Sequence, residues 1–221
     1  MDTELDWADQ TTERLLSAAH AHVVSLGWTR RLLAAAARDV GLSFAEAELL
    51  LPEGPRDLAA LLARRHDRAA LAVLADRDPT AMKIRDRIRA GVLARIEAAM
   101  IDGPITRRWA GFLTLPPNMA LGLRLLWASA DHLWRWAGDT ATDENYYTKR
   151  ALLAEILFST LAIRLSAGEA AAAAHLDGRI AGVMAFEKWK AGVRPADTAA
   201  RIAGVLSRLR YGRSRGRGAA V

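Results

Sequence analysis

Apolar residues recur at helical spacing along almost the whole chain, and this periodicity restricts the possible folds more than any other feature of the sequence. Glycine and proline residues divide the pattern into about ten segments. No stretch alternates between apolar and polar residues as a half-buried strand does. The hydrophobic fraction of 52% consists largely of Ala and Leu, which favours helix over strand. The sequence therefore predicts an all-α bundle of about ten helices.

Apolar spacing, glycine residues and capping signals predict three helices at the N-terminus, of which the first ends at Gly27 and the third is short. Thr29 is placed to cap a second helix that ends at Gly41, and Ser43 with Glu46 forms a capping box for a third. A helix, a glycine turn and a short helix make helix-turn-helix spacing. The third helix carries Glu46 and Glu48 but no basic residue, whereas a helix that reads DNA must approach phosphates. These charges favour a packing unit over a DNA reader.

The remaining chain separates into a helical body and a basic tail. Two body helices, at 118–138 and 146–165, are apolar around much of their circumference, so we expect them to be central. The longest mostly apolar stretch, 151–163, is shorter than the roughly 20 residues that span a bilayer. The other long helices are predicted at about 55–78, 81–101 and 169–193. The predicted domains are a three-helix unit at 1–54, a helical body at 55–193 and a tail at 194–221.

The tail carries the whole net charge of +6. Four apolar residues in it recur at i, i+3, i+4 and i+7 between arginines, which is the pattern of a basic amphipathic helix. Such a helix can insert its apolar stripe into the headgroup region of an anionic membrane, or it can pack on its own protein. The sequence leaves both possibilities open. The predicted membrane-binding residues are Arg201, Ile202, Val205, Leu206, Arg208, Leu209 and Arg210.

Catalytic and metal-binding motifs are absent from the sequence. It has no cysteine, no H-E-x-x-H, no G-x-S-x-G, no P-loop and no G-x-G-x-x-G. We therefore predict a protein that is not an enzyme and that holds no metal or cofactor. The acidic first residues argue against a secretory signal or a transit peptide. Together with the lack of cysteine, they lead us to expect a cytoplasmic protein, peripheral on the inner leaflet of the cytoplasmic membrane.

The run 137–150, AGDTATDENYYTKR, resembles the signature of the ubiquinone-biosynthesis accessory family often written Coq nine. Further segments resemble the same family in the same order, so the resemblance covers roughly residues 12 to 190. The run departs from the usual family pattern at Ala141, Glu144 and Tyr146. The supporting segments are LGWT at 26–29, GPRDL at 54–58, KIR at 83–85, LRLLW at 123–127 and RIAGVM at 179–184.

This resemblance implies a TetR-like fold without DNA binding, and a homodimeric lipid-binding protein. Such a protein takes up isoprenoid quinone intermediates and cooperates with the hydroxylase that acts on demethoxyubiquinone. It also implies that the terminal amphipathic helix engages the membrane. The main alternative is a TetR-like DNA-binding transcriptional regulator with a hydrophobic effector. Carried over by position, the partner-binding patch comprises Asp139, Asp143, Asn145, Tyr146, Tyr147, Lys149 and Arg150.

We expect an isoprenoid quinone or a phospholipid to lie between the central helices, where tryptophan would supply wide apolar walls. Tryptophan also keeps one N–H that can bind a ligand or water. The partners would be this lipid, the hydroxylase, a membrane surface and a second copy of the chain, but no nucleic acid. The predicted pocket residues are Leu126, Trp127, Ala130, Trp134, Leu153 and Leu157.

Overall fold

A computed structural model describes the backbone of residues 7–140 and 144–192. The described residues form nine α-helices and no strand, which confirms the predicted all-α class. The arrangement is compatible with the TetR-like organisation that the resemblance implies. The tail and its predicted amphipathic helix lie outside the described residues. The helices are α1 (Trp7–Leu26), α2 (Arg30–Asp39), α3 (Phe44–Leu50), α4 (Pro55–Ala75), α5 (Ile84–Met100), α6 (Gly103–Thr114), α7 (Met119–Trp136), α8 (Glu144–Ala167) and α9 (Glu169–Gly192).

The predicted caps of the second and third helices are confirmed. The Thr29 side chain accepts a hydrogen bond from the backbone N–H of Leu32 at the start of α2. At the start of α3, the Ser43 hydroxyl accepts from the N–H of Glu46, and the Glu46 carboxylate accepts from the N–H of Ser43. Gly41 has a φ of 78°, which side-chain-bearing residues rarely adopt, and it separates α2 from α3. These local signals produce the helix-turn-helix spacing.

One core joins the N-terminal helices to the body. Leucines at 15 and 16 of α1, 32 and 33 of α2, and 58 and 62 of α4 are almost fully buried in a single cluster. Trp109 of α6 is part of the same cluster, and its indole Nε1 donates to the backbone oxygen of Ala59 at 2.9 Å. The helix-turn-helix unit therefore folds against α4 and α6.

The boundary between α4 and α5 differs from the prediction. Helix α4 ends at Ala75, and α5 begins only at Ile84. The Asp78 carboxylate accepts a hydrogen bond from the N–H of Thr80 at 2.8 Å, which starts a 3-10 turn at Pro79–Ala81. An Asp-Pro pair favours such a turn because proline fixes φ and aspartate caps the free N–H groups.

Helices α5 and α7 approach closely at Gly91. A Cβ atom there would lie 3.3 Å from Cδ2 of Leu133 on α7. This contact brings α7 against the middle of the bundle, and α7 then pairs with α8. The site described below is built on that pair.

The chain divides into two compact units, Met1–Asp177 and Gly178–Val221. Within the second unit, the described part is the C-terminal half of α9. The predicted division at residues 54 and 193 stays a prediction. Among the described helices, none combines the length and the apolar character needed to cross a membrane.

Candidate functional site

The six predicted pocket residues all lie on the paired helices α7 and α8. Three of them, Ala130, Leu153 and Leu157, are buried. The other three, Leu126, Trp127 and Trp134, are half-buried. The structure thus places the predicted set partly in the α7–α8 interface and partly at its edge. Two cavities in the first unit, of about 350 and 540 Å³, are lined by other residues.

The two tryptophans at this edge differ in how they are held. The indole Nε1 of Trp134 donates to the backbone oxygen of Lys149 at 2.9 Å, which ties α7 to α8. Its N–H is therefore engaged by the protein, contrary to the expectation that it would be free for a ligand. The ring of Trp127 lies 6.1 Å from the ring of Tyr147, in a tilted arrangement. Among the described residues, no hydrogen bond to the indole of Trp127 accompanies this ring contact.

An ion-pair network, which we call the Arg150 network, joins the C-terminal end of α7 to the first turns of α8. The guanidinium of Arg150 donates to Asp131 at 2.6 Å and to Asp139 at 3.0 Å. Its Cζ lies 3.4 Å from the centre of the Tyr146 ring. Lys149 Nζ donates to the other oxygen of Asp139 at 2.7 Å. Burial opposes the charge of Arg150, but its hydrogen bonds to the two carboxylates outweigh burial and raise the pKa of the guanidinium.

The backbone leading into this network explains part of the signature run. Gly138 has a φ of 85°, and it ends α7 by turning the chain. The N–H of Asp139 then donates to the backbone oxygen of Trp134 at 2.9 Å. From α5, the Arg87 guanidinium donates to the backbone oxygen of Ala137 at 2.7 Å. Glycine and aspartate in this order thus deliver a carboxylate to Arg150.

The predicted partner-binding residues separate into buried and exposed groups. The side chains of Arg150 and Asp139 are only 2% and 5% exposed, so they lie beneath the surface of the patch. Tyr147 is 64% exposed, and Lys149 is partly exposed. The buried pair can position these side chains but cannot offer a contact surface itself. Asp143 and the side chain of Asn145 lie outside the described residues, as do the predicted membrane-binding residues of the tail.

The outer face of α7 and α8 carries exposed apolar side chains. Met119 and Leu123 follow each other at i and i+4 on α7, and Leu123 is 66% exposed. Phe158 on α8 is also exposed by about half. The all-round apolar character of α7 and α8 predicted that both helices would be central, but part of each helix is exposed. Large apolar patches that stay exposed are more frequent at surfaces that bind other molecules.

A buried polar cluster, which the sequence analysis missed, lies behind α7. The Asp67 carboxylate on α4 accepts hydrogen bonds from Arg95 of α5 at 2.5 Å and from Ser129 of α7 at 2.6 Å. His132 Nδ1 lies 3.4 Å from its second oxygen. Burial opposes ionisation of Asp67, but the contacts with His132 and the charge of Arg95 outweigh it and lower its pKa. The adjacent Asp67 carboxylate raises the pKa of His132.

Helical spacing could have revealed this cluster. Asp67 follows Ala63 by four residues on the apolar face of α4, and Arg95 follows Gly91 in the same way on α5. One charged residue on the apolar face of each of two helices indicates a buried ion pair. In the described part of the chain, no group of three or more His, Cys, Asp or Glu side chains could hold a metal ion.

Fold and site together define an all-α protein built around a hairpin of two apolar helices that a buried ion-pair network holds together. Residues 119–187 match the family model described as COQ9. The ubiquinone biosynthesis protein COQ9-B, mitochondrial, of Xenopus laevis is 30% identical over 171 residues, which is 71% of this chain and 56% of that protein. The human COQ9 protein is 29% identical over 165 residues, covering 69% of this chain and 50% of that protein.

The chain belongs to the COQ9 family, as the resemblance of its signature run indicated. It spans about half the length of the curated relatives that it matches. The expected location at the inner leaflet of the cytoplasmic membrane is wrong, because these relatives are named as mitochondrial proteins. The error has a physical reason: an amphipathic helix and a lack of cysteine describe a kind of surface and a redox state, and neither identifies a compartment.

Proposed function

We propose that this chain is a lipid-binding accessory protein of ubiquinone biosynthesis. It binds an isoprenoid quinone intermediate or a phospholipid between α7 and α8 and presents it to the hydroxylase that acts on demethoxyubiquinone. The observation that carries the proposal is the position of the COQ9 match. That match at 119–187 coincides with α7, α8 and most of α9, where the predicted pocket and the Arg150 network lie.

Two features of the hairpin support the binding of a quinone-like molecule. The half-buried rings of Trp127 and Trp134 provide an apolar edge at which a prenyl chain can enter. Deeper on α8, the hydroxyl of Thr160 is buried and has no hydrogen-bond partner among the described residues. Thr160 follows Leu153 and Leu157 by seven and three residues, which places the three on one helix face. An unpaired buried hydroxyl can bind a quinone carbonyl.

Titration with a ubiquinone that has a short isoprenoid tail tests this pocket through quenching of tryptophan fluorescence. We expect Thr160→Val to weaken binding by about tenfold, because one hydrogen bond to a buried oxygen is lost. The same variant should unfold at a slightly higher urea concentration, because it removes an unsatisfied polar group. Trp127→Ala should also weaken binding. Trp7→Ala should not, because the Trp7 side chain is exposed on α1. Unchanged affinity in both pocket variants would exclude this site.

The exposed part of the patch is the proposed contact with the hydroxylase. Tyr147 offers a broad aromatic surface two residues before the cationic Lys149. Buried Asp139 binds Lys149, and buried Arg150 stacks on Tyr146, whose ring contacts the ring of Tyr147. We expect Tyr147→Ala to weaken the complex by more than about tenfold, since exposed aromatic residues dominate many interfaces. Leu49→Ala is the matched control, because Leu49 is at least as exposed but lies on α3. Equal loss in both variants would contradict the assignment.

The apolar outer face of the hairpin is the proposed dimer interface. Burial of Met119, Leu123 and Phe158 against a second copy would remove apolar surface from water. Leu123→Glu should therefore give a monomer in light scattering, whereas Val73→Glu on exposed α4 should leave the mass unchanged. A dimer that survives Leu123→Glu would place the interface elsewhere.

The tail is the proposed membrane anchor. Its arginines favour anionic headgroups, each by on the order of 1 kcal/mol. In liposome flotation, the full chain should float with vesicles that contain anionic lipid, and a chain ending at residue 193 should not. Equal flotation of both would remove the tail from this role.

A further inference from the structure

A groove of about 540 Å³ lies between the end of α1, the outer face of α2 and the start of α3. We propose that this groove is the docking site for an acidic amphipathic helix of a partner protein. It is distinct from the α7–α8 hairpin, and the inference does not depend on lipid binding. The groove is lined by Leu26, Arg31, Ala34, Arg38, Leu42, Ser43 and Phe44.

The spacing of the lining residues on α2 fits a helical occupant. Arg31, Ala34 and Arg38 stand at i, i+3 and i+7, so they share one face of the helix. The two arginines are thus about 10.5 Å apart along the helix axis. The half-buried side chains of Leu42 and Phe44 line the same groove and supply an apolar floor, and Arg30 lies over the Phe44 ring at 5.4 Å. A helix with two carboxylates seven residues apart and leucines between them matches this layout.

The carboxylates around the groove are already engaged. Asp39 pairs with His22 at 2.6 Å. Glu46 accepts hydrogen bonds from both the backbone N–H and the hydroxyl of Ser43. Glu48 forms an ion pair with Arg30.

Arg31 and Arg38, in contrast, are exposed and make no ion pair with any residue of the described chain. Arg14 adds a third positive charge nearby, since its guanidinium donates to the backbone oxygen of Val40 at 3.2 Å. Two unpaired guanidinium groups that flank an apolar floor complement an acidic, amphipathic partner.

Other anionic partners fit less well. A DNA duplex laid along α3 would meet the carboxylates of Glu46 and Glu48, and it has no apolar face for the floor. A single-chain anionic lipid carries its charge at one end, so it satisfies only one of two cations about 10.5 Å apart. An acidic helix satisfies both cations and covers the floor.

A designed peptide of about 20 residues tests the proposal. It carries Glu at i and i+7 and Leu at i+3 and i+4, and a matched peptide carries Lys in place of Glu. Binding to the full chain is measured by fluorescence anisotropy at about 50 and 200 mM salt. We expect the Glu peptide to bind in the micromolar range, more weakly at higher salt, and the Lys peptide not to bind.

Charge reversal identifies the site. The double variant Arg31→Glu, Arg38→Glu should weaken binding of the Glu peptide by more than about tenfold and gain binding of the Lys peptide. Arg124→Glu is the control, since Arg124 is an exposed arginine on α7, and it should change the affinity by less than about twofold. Circular dichroism at 222 nm should be the same for all three proteins.

Several results would overturn the proposal. These are no binding of the Glu peptide up to about 1 mM, equal binding of the Lys peptide, or equal affinity in the double variant. Dodecyl phosphate and a random DNA duplex serve as competitors of the Glu peptide. If one of them binds more tightly than the Glu peptide, and if the double variant abolishes that binding, the groove is assigned to that ligand instead.

Discussion

Replacement of Arg150 by methionine tests whether the Arg150 network holds the hairpin together. Methionine keeps much of the side-chain volume but removes the charge, the three hydrogen bonds of the guanidinium and its stacking on Tyr146. Asp139 then keeps its ion pair with Lys149, and Asp131 keeps its ion pair with exposed Arg135. The two carboxylates, which Arg150 neutralises below the surface, then have less positive charge beside them.

The size of the effect follows from burial. Removing one partner of a buried ion pair costs about 3–5 kcal/mol, because the other charge stays buried without compensation. Lys149 stays 2.7 Å from Asp139, so we expect a loss near the lower end, about 3 kcal/mol, in the free energy of unfolding. Arg135→Met is the matched control. Arg135 contacts the same Asp131 at 2.8 Å but is 69% exposed, so its loss should cost less than about 1 kcal/mol.

Urea unfolding followed by circular dichroism gives these two free energies. Amide hydrogen exchange across residues 144–150 shows whether the loss is local to the hairpin. Adding Asp139→Asn to Arg150→Met should recover part of the stability, because it removes the carboxylate left without its partner. Similar small losses for Arg150→Met and Arg135→Met, each within about 1 kcal/mol, would refute the reasoning.

Three further predictions concern the rest of the bundle. Burial lowers the pKa of His66 from 6.5 to about 3. Between these two pH values the unfolded chain binds a proton that the folded chain does not bind, so stability falls as the pH falls. Protonation of His66 in the unfolded chain should lower the free energy of unfolding by about 2 kcal/mol between about pH 7 and pH 5. In urea unfolding, His66→Leu should flatten the dependence of this free energy on pH, and His175→Gln should not. Parallel pH profiles for His66→Leu and the wild type would show that His66 does not titrate this way. Gly91→Val should lower stability by about 1–3 kcal/mol because its side chain would overlap a leucine of α7. Gly111→Val, which has open space for an added side chain, should change stability by less than about 0.5 kcal/mol. Equal unfolding midpoints for the Gly91 and Gly111 variants would contradict the close approach of α5 and α7. Ser43→Ala should cost about 1 kcal/mol by loss of the α3 cap, and a thermal melt identical to the wild type would mean that the cap contributes nothing.

Local signals in the sequence predicted the helices well. Thr29 and the Ser43–Glu46 pair cap helices through contacts within three residues, so they act in the same way in any fold. Positive φ values at Gly27 and Gly41 likewise reflect a local need. The predicted start of α5 was wrong by three residues, because the Asp78 turn competes with helix extension.

Contacts between distant residues could not be predicted in the same way. The Trp134 N–H binds a backbone oxygen fifteen residues away, and no pattern in the sequence specifies that pairing. The Asp67 cluster joins three helices, and its partners depend on how those helices pack. The resemblance selected Asp139 and Arg150 as contact residues, but burial gives them a positioning role. Exposure is a property of the fold, so a signature run alone cannot supply it.

The mass of the small molecule that purifies with the full chain tests the central claim most directly. Organic extraction of protein purified without detergent, followed by mass spectrometry, should yield an isoprenoid quinone or a phospholipid in about a one-to-one ratio to the chain. The Thr160→Val protein should yield less of it. Extracts that contain no lipid above the level found with an unrelated helical protein would contradict lipid binding by the α7–α8 hairpin.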